Sequence, residues 1–174
     1  MTEWVALLRG VNVGGVTIRG AELRDVATSI GLDDARTVLA SGNLLFRAAG
    51  ARGDLTARIE KALSARFDYD ARIVLVTRDE VAAAIAGFPF DEEDGERQPY
   101  VVFCLREQTR RALVDAAADL DGEVDPVADA PGVVYWNPAK GTTVSTPFAK
   151  VLAGRAYRET TTNRNLRTLR KIAG

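Results

Sequence analysis

Trp4-Val5-Ala6-Leu7-Leu8-Arg9-Gly10 is a continuous apolar run cut off by a charge and a glycine, and it reads as a strand buried on both faces. Leu23, Val26, Ala27 and Ile30 then recur at i, i+3, i+4 and i+7 ahead of Gly31, the pattern of a helix and its stop. Arg36 to Leu39 and Leu44 to Arg47 flank the turn-forming Ser41-Gly42-Asn43, which predicts a hairpin. Leu55, Ile59, Leu63 and Phe67 mark one face of a second helix with Asp54 as its start signal, and Ile73 to Val76 supplies the next strand. The order β-α-β-β-α-β from Trp4 to Thr77 is the ferredoxin-like split arrangement. In that topology the first strand lies between the third and fourth. The loop after Arg9 is therefore expected to meet the Ser41-Gly42-Asn43 turn.

Beyond it, Thr77-Arg78-Asp79-Glu80 has the form of a capping box, opening a helix that buries Val81, Ile85 and Phe88 and stops at Pro89. Asp91 to Glu96 reads as a solvated acidic loop, because its glycine-interrupted order does not match a calcium loop. A strand at Tyr100 to Leu105, a helix from Thr109 to Leu120, and strands near Val124 to Val127 and Val133 to Trp136 form a second β-α-β-β half. Leu166, Leu169 and Ile172 lie along one side of a final helix, with Arg164, Arg167, Arg170 and Lys171 over the rest. Cations suit the end of such a helix, whereas Arg164 stands at its start and calls for a specific partner. The expected architecture is α+β, with a ferredoxin-like subdomain over residues 1–78. A second α+β subdomain with basic C-terminal helices is expected over 79–174.

The hydrophobic fraction of 47% in 174 residues is enough for a real core. A formal net charge of -1 leaves no footprint of a general nucleic-acid binder, although the chain from Pro147 onward is strongly basic and Asp91 to Glu96 acidic. The single cysteine, Cys104, sits inside an apolar run, which excludes an internal disulfide framework and suits a small buried hydrophobe in a reducing cytoplasm. Neither a secretory leader nor a membrane-spanning run is visible, so a cytoplasmic protein without a membrane partner is expected. The absence of histidine excludes Ser-His-Asp and Cys-His mechanisms and histidine-based zinc sites. Lys140, Tyr135 and Lys171 remain as acid or base candidates, but no spacing singles one out. No catalytic residue, metal or cofactor is assigned.

Function is expected at three polar stretches: Arg9 to Gly15, Ser41 to Asn43 and Thr162 to Asn165. Arginine forks, amides and glycine-exposed N–H groups suit an anion. No P-loop or dinucleotide fingerprint is present, and glycines and Ser-Gly-Asn are equally what tight turns use. Arg9 is the strongest candidate, since a charge at the end of a buried strand needs a carboxylate, a carbonyl or a ligand. The candidate ligand-binding set is Arg9, Gly10, Asn12, Gly14, Ser41, Gly42, Asn43, Thr162, Arg164, Asn165 and Lys171, and the expected ligand is a phosphorylated small molecule or nucleotide. The alternative is an interaction or oligomerisation module in which these motifs are structural. RNA binding is disfavoured, because Leu44-Leu45-Phe46 lacks the aromatic pair and basic surround that such sheets use.

The opening Trp4 to Gly15, Ala21-Glu22-Leu23-Arg24 and Ser41-Gly42-Asn43-Leu44-Leu45-Phe46 together resemble the uncharacterised bacterial family catalogued as domain of unknown function 1697. The resemblance runs on through Phe88-Pro89-Phe90 to the ending Thr162 to Lys171. The family's ending, Thr, any residue, Arg-Asn-Trp-Asn-Thr, two residues and Lys, matches Thr162, Arg164, Asn165, Thr168 and Lys171, while Leu166 and Arg167 depart from it. The resemblance implies an α+β fold of two subdomains, the first ferredoxin-like. It carries no established activity.

Overall fold

Five consecutive buried residues, Trp4 to Leu8, follow from the position of their strand, β1 (Thr2–Leu8), at the interior of a four-stranded antiparallel sheet. The structure is a computed structural model and describes residues 1–12, 15–40 and 42–174. It divides into two compact units, Met1–Ala82 with Lys171–Gly174, and Ala83–Arg170.

In the first unit β1 is followed by α1 (Gly20–Ser29), β2 (Asp33–Thr37), β3 (Asn43–Ala48), α2 (Arg52–Phe67) and β4 (Ile73–Thr77), with the sheet order β2-β3-β1-β4. This is the split β-α-β-β-α-β arrangement expected from the sequence. Trp4, Ala6 and Leu8 pack with Phe46 and Leu75 against Leu23 and Val26 of α1 and Ile59 and Leu63 of α2. Alternate residues point to opposite faces of a strand, so Val5 and Leu7 are turned away from these helices; both are fully buried.

Two helix starts show how local rules were met. Helix α2 begins before Asp54, with Ala51 at its cap, so Asp54 stands inside the first turn rather than at the N-cap. Its charge still complements the positive end of the helix dipole. The capping box is present at α3 (Arg78–Ala86): the Glu80 N–H donates to Thr77 Oγ1 at 3.1 Å and the Thr77 N–H to the Glu80 carboxylate at 2.8 Å. Burial opposes the Glu80 charge, but hydrogen bonds from Arg52 and Thr77 outweigh it and hold this carboxyl below its usual pKa. The same Arg52 donates to the Leu75 carbonyl and lies over the Trp4 ring.

The second unit holds β5 (Tyr100–Cys104), α4 (Glu107–Ala118), β6 (Val127–Ala130), β7 (Val133–Trp136), α5 (Pro147–Ala153), α6 (Arg155–Arg158) and β8 (Thr161–Asn165). Its sheet order, β6-β7-β5-β8, repeats that of the first unit strand for strand. The strand expected near Val124 lies further on: Val124 is exposed, and Asp125 is a buried polar residue leading into β6. One Asp125 carboxylate oxygen accepts the Trp136 indole N–H at 2.9 Å, and the other accepts the Phe148 N–H at the start of α5 at 3.0 Å. Trp136 and Phe148 in turn pack with Val102 and Leu113. On the other face of the sheet, the Tyr135 hydroxyl donates to the Ala84 carbonyl, and Phe88 meets the Tyr135 ring edge-on.

The chain ends in α7 (Leu166–Ala173). Arg164, expected at the start of that helix, lies instead in strand β8 before it. A partner is therefore not required of it by a helix dipole. No described helix is long and apolar enough to cross a membrane.

Candidate functional site

The two N-terminal motifs meet, and the contacts that join them are specific. The Leu8 N–H donates to the Gly42 carbonyl at 2.9 Å, which continues the β1–β3 pairing into the turn between β2 and β3. The Asn12 side-chain amide donates to the carbonyls of Ile18 and Ala40, and its oxygen accepts the Ile18 N–H at 2.9 Å. One carboxamide thus closes its own loop and ties it to the neighbouring turn. Asn12 does so from a left-handed backbone (φ 59°), a conformation its short polar side chain tolerates. Gly42 is also left-handed (φ 75°), and a Cβ there would stand 2.7 Å from a Val11 methyl and 3.0 Å from Leu8 Cβ. Only glycine lets the two loops close to this distance.

Asn43 is fully buried and its side-chain amide donates to the Val38 carbonyl at 2.8 Å, fixing the hairpin base. Arg9 is half-buried where β1 ends, its N–H donating to the Arg72 carbonyl, and Gly10 beside it is exposed in the left-handed region. Gly14 and Ser41, both candidate ligand contacts, lie outside the described residues. Around this turn pair the described asparagines act on the protein itself; Gly42 is buried beneath Val11 and Leu8, Arg9 is half-buried and Gly10 is exposed.

The third motif belongs to the second unit. Residues paired directly across β8, β5 and β7 place Arg164, Val101 and Tyr135 in one row on the sheet face that Phe88 covers. Arg164 is 8% exposed and donates to Thr162 Oγ1 at 2.8 Å and to the Asn163 carbonyl at 2.9 Å. Asn165 Oδ1 accepts the Arg167 N–H at 2.9 Å, turning the chain from β8 into α7. Thr162, Arg164 and Asn165 therefore each have an internal task. Lys171 is exposed on α7, in the stretch that belongs to the first unit.

The acid and base candidates are not brought into a constellation. Tyr135 is buried, and burial raises its pKa above the ordinary value; Lys140 is exposed. Burial also pushes the Cys104 thiol up to about 12, far from a reactive thiolate. Sequence reading missed Asp125, since a lone aspartate after an acidic turn carries no periodic signal.

This chain belongs to the family described as protein of unknown function, DUF1697, whose profile matches residues 1–135. Its fold is similar to that of a conserved bacterial protein from Streptococcus pneumoniae, with a TM-score of 0.82 and 21% identity over 99% of this chain and 97% of that one. No curated protein matches the chain.

Proposed function

We propose that this protein binds a small anion of the phosphoryl or nucleotide class at the paired turns that close the end of β1. Arg9 supplies the charge, and the exposed backbone at Gly10 beside it supplies a short-range donor. Asn12 and Asn43 brace the turns. The observation that carries the reading is the Asn12 clasp: it fixes a charged strand end beside two glycine-containing turns, before any ligand arrives. Preorganised N–H groups next to a guanidinium are worth more to an anion than flexible ones, because ordering them costs nothing at binding. The protein is proposed to be cytoplasmic.

A second reading, an interaction or oligomerisation module, is favoured by the internal use of Thr162, Arg164 and Asn165. Amide-resolved NMR titration with inorganic phosphate and with ATP separates the two. Saturable shifts centred on Arg9 and Gly10 that disappear in Arg9→Gln support the anion site. No shift at millimolar ligand, with a concentration-dependent sedimentation coefficient, overturns it in favour of the interaction module.

A further inference from the structure

The two units share one strand topology, and the second shows how little chain it needs. There β5 passes to α4 through Leu105 and Arg106 alone, and β6 turns into β7 through Pro131 and Gly132. The same bonds knit this end in both units: the Cys104 N–H donates to the Gly132 carbonyl as the Leu8 N–H does to that of Gly42, and the Leu105 N–H to the Thr160 carbonyl as the Arg9 N–H does to that of Arg72. In the first unit the corresponding connections are residues 9–19 and 38–42. Both are longer than the fold requires, and they meet where the Asn12 amide donates to the Ala40 carbonyl. Chain beyond what closure needs, held in order at one end of a sheet, is where binding residues concentrate.

We propose that Leu39, in the turn between β2 and β3, selects the body of the ligand held at Arg9, and that this ligand is a phosphate monoester carrying a base-sized apolar or aromatic group. The inference rests on the anion site at Arg9 and names its substrate class. Leu39 has φ 59° and is 49% exposed. The other described non-glycine residues in the left-handed region are Asn12, Asp34 and Asp68, whose short polar side chains tolerate it. A leucine gains no local hydrogen bond there, and a half-exposed side chain gains little from packing, so the fold by itself favours glycine or asparagine at this position. Bonds on both sides hold the conformation: the Val38 N–H donates to the Asn43 carbonyl at 3.1 Å, the Asn43 amide donates back to the Val38 carbonyl at 2.8 Å, and the Asn12 amide holds Ala40. Backbone strain kept in place by its neighbours, under an exposed apolar side chain, marks a residue set out for contact. The sheet order β2-β3-β1 and a strand spacing of about 4.8 Å put this turn about 10 Å from the end of β1. A nucleoside bridges that distance from its phosphate, whereas a bare phosphate does not.

AMP and ribose 5-phosphate are the probes, titrated against the whole chain and followed by amide-resolved NMR. AMP is expected to bind about five- to tenfold more tightly, the effect of covering half a leucine side chain. Its shifts should run from Gly10 to Leu39 and Ala40, whereas ribose 5-phosphate should shift Gly10 without reaching Leu39. Leu39→Gly should bring the two affinities level by weakening AMP alone, and should raise the urea midpoint by releasing the strained backbone. Leu39→Met keeps an apolar side chain and should keep the preference. Equal affinities in the wild-type chain, a preference that survives Leu39→Gly, or a lower urea midpoint in that variant overturns the inference and leaves the anion site standing. No response to either probe overturns the anion site and this inference together.

Discussion

Asp125→Ala tests the packing of the second unit at its most exacting point. Asp125 is 3% exposed, and its two oxygens accept from the Trp136 indole and from the first turn of α5. Alanine strands both donors away from water at about 1–3 kcal/mol each and removes a negative charge from a helix N-terminus, so a loss of about 3–5 kcal/mol is expected. For a chain of this length that lowers the melting temperature by roughly 6–20 °C. Asp125→Asn keeps one acceptor but turns an NH2 toward the other donor, and should cost about 2 kcal/mol. Urea unfolding followed by tryptophan fluorescence reads both, since Trp136 is itself a reporter. Trp136→Phe removes one of the two donors, so the double variant with Asp125→Ala should lose less than the sum of the singles, with a coupling of about 1–2 kcal/mol. A loss below about 1 kcal/mol for Asp125→Ala, or strict additivity, refutes the assignment of this carboxylate as the shared acceptor.

Glu80→Gln should cost about 1 kcal/mol at neutral pH, a figure kept small because the pair with Arg52 is largely solvated. Since the folded pKa is lowered, the stabilisation is complete above the usual 4.5 and is lost as pH falls through the lower folded value; wild type and variant should converge only at acid pH in a denaturation series. Tyr69→Phe should be neutral or stabilising by up to about 1 kcal/mol, because the buried hydroxyl has no hydrogen-bond partner among the described residues, and burial, then Glu60, pushes its pKa up to about 12. Asn12→Ala should cost about 2 kcal/mol and accelerate amide exchange at Ile18, through the lost clasp and a left-handed alanine. Gly42→Ala should do at least as much damage by forcing Val11 and Leu8 aside, measured in the same exchange experiment.

Residues 4 to 77 disclosed most of their fold because β1, β3, β4 and the two helices carry their own periods; β2, expected at Arg36 to Leu39, lies instead at Asp33–Thr37, an edge strand whose Asp-Asp-Ala-Arg-Thr has no apolar alternation. β1 is apolar from Trp4 to Leu8, as the part of an interior strand buried on both faces must be, and α1 and α2 show one apolar stripe each. Chain order and this topology then dictate that the loop after Arg9 meets the hairpin turn. What the side chains do at that meeting was not readable. Asn12 in a polar loop is written the same way whether it faces a ligand or, as here, its own backbone.

The fourth strand of the second unit escaped for a related reason. Thr161-Thr162-Asn163-Arg164-Asn165 has no apolar alternation, and it pairs on one side only, so packing asks little of its composition. Local pattern, which depends on neighbours a few residues away, was determined by the sequence itself: the central strands, the paired helices and the capping box at Thr77. Tertiary structure alone decided which polar groups are used up and which remain. Asp125 acquires its role from partners 11 and 23 residues away. Hydrogen-bond satisfaction is a property of three-dimensional neighbours, and no periodicity along the chain encodes it.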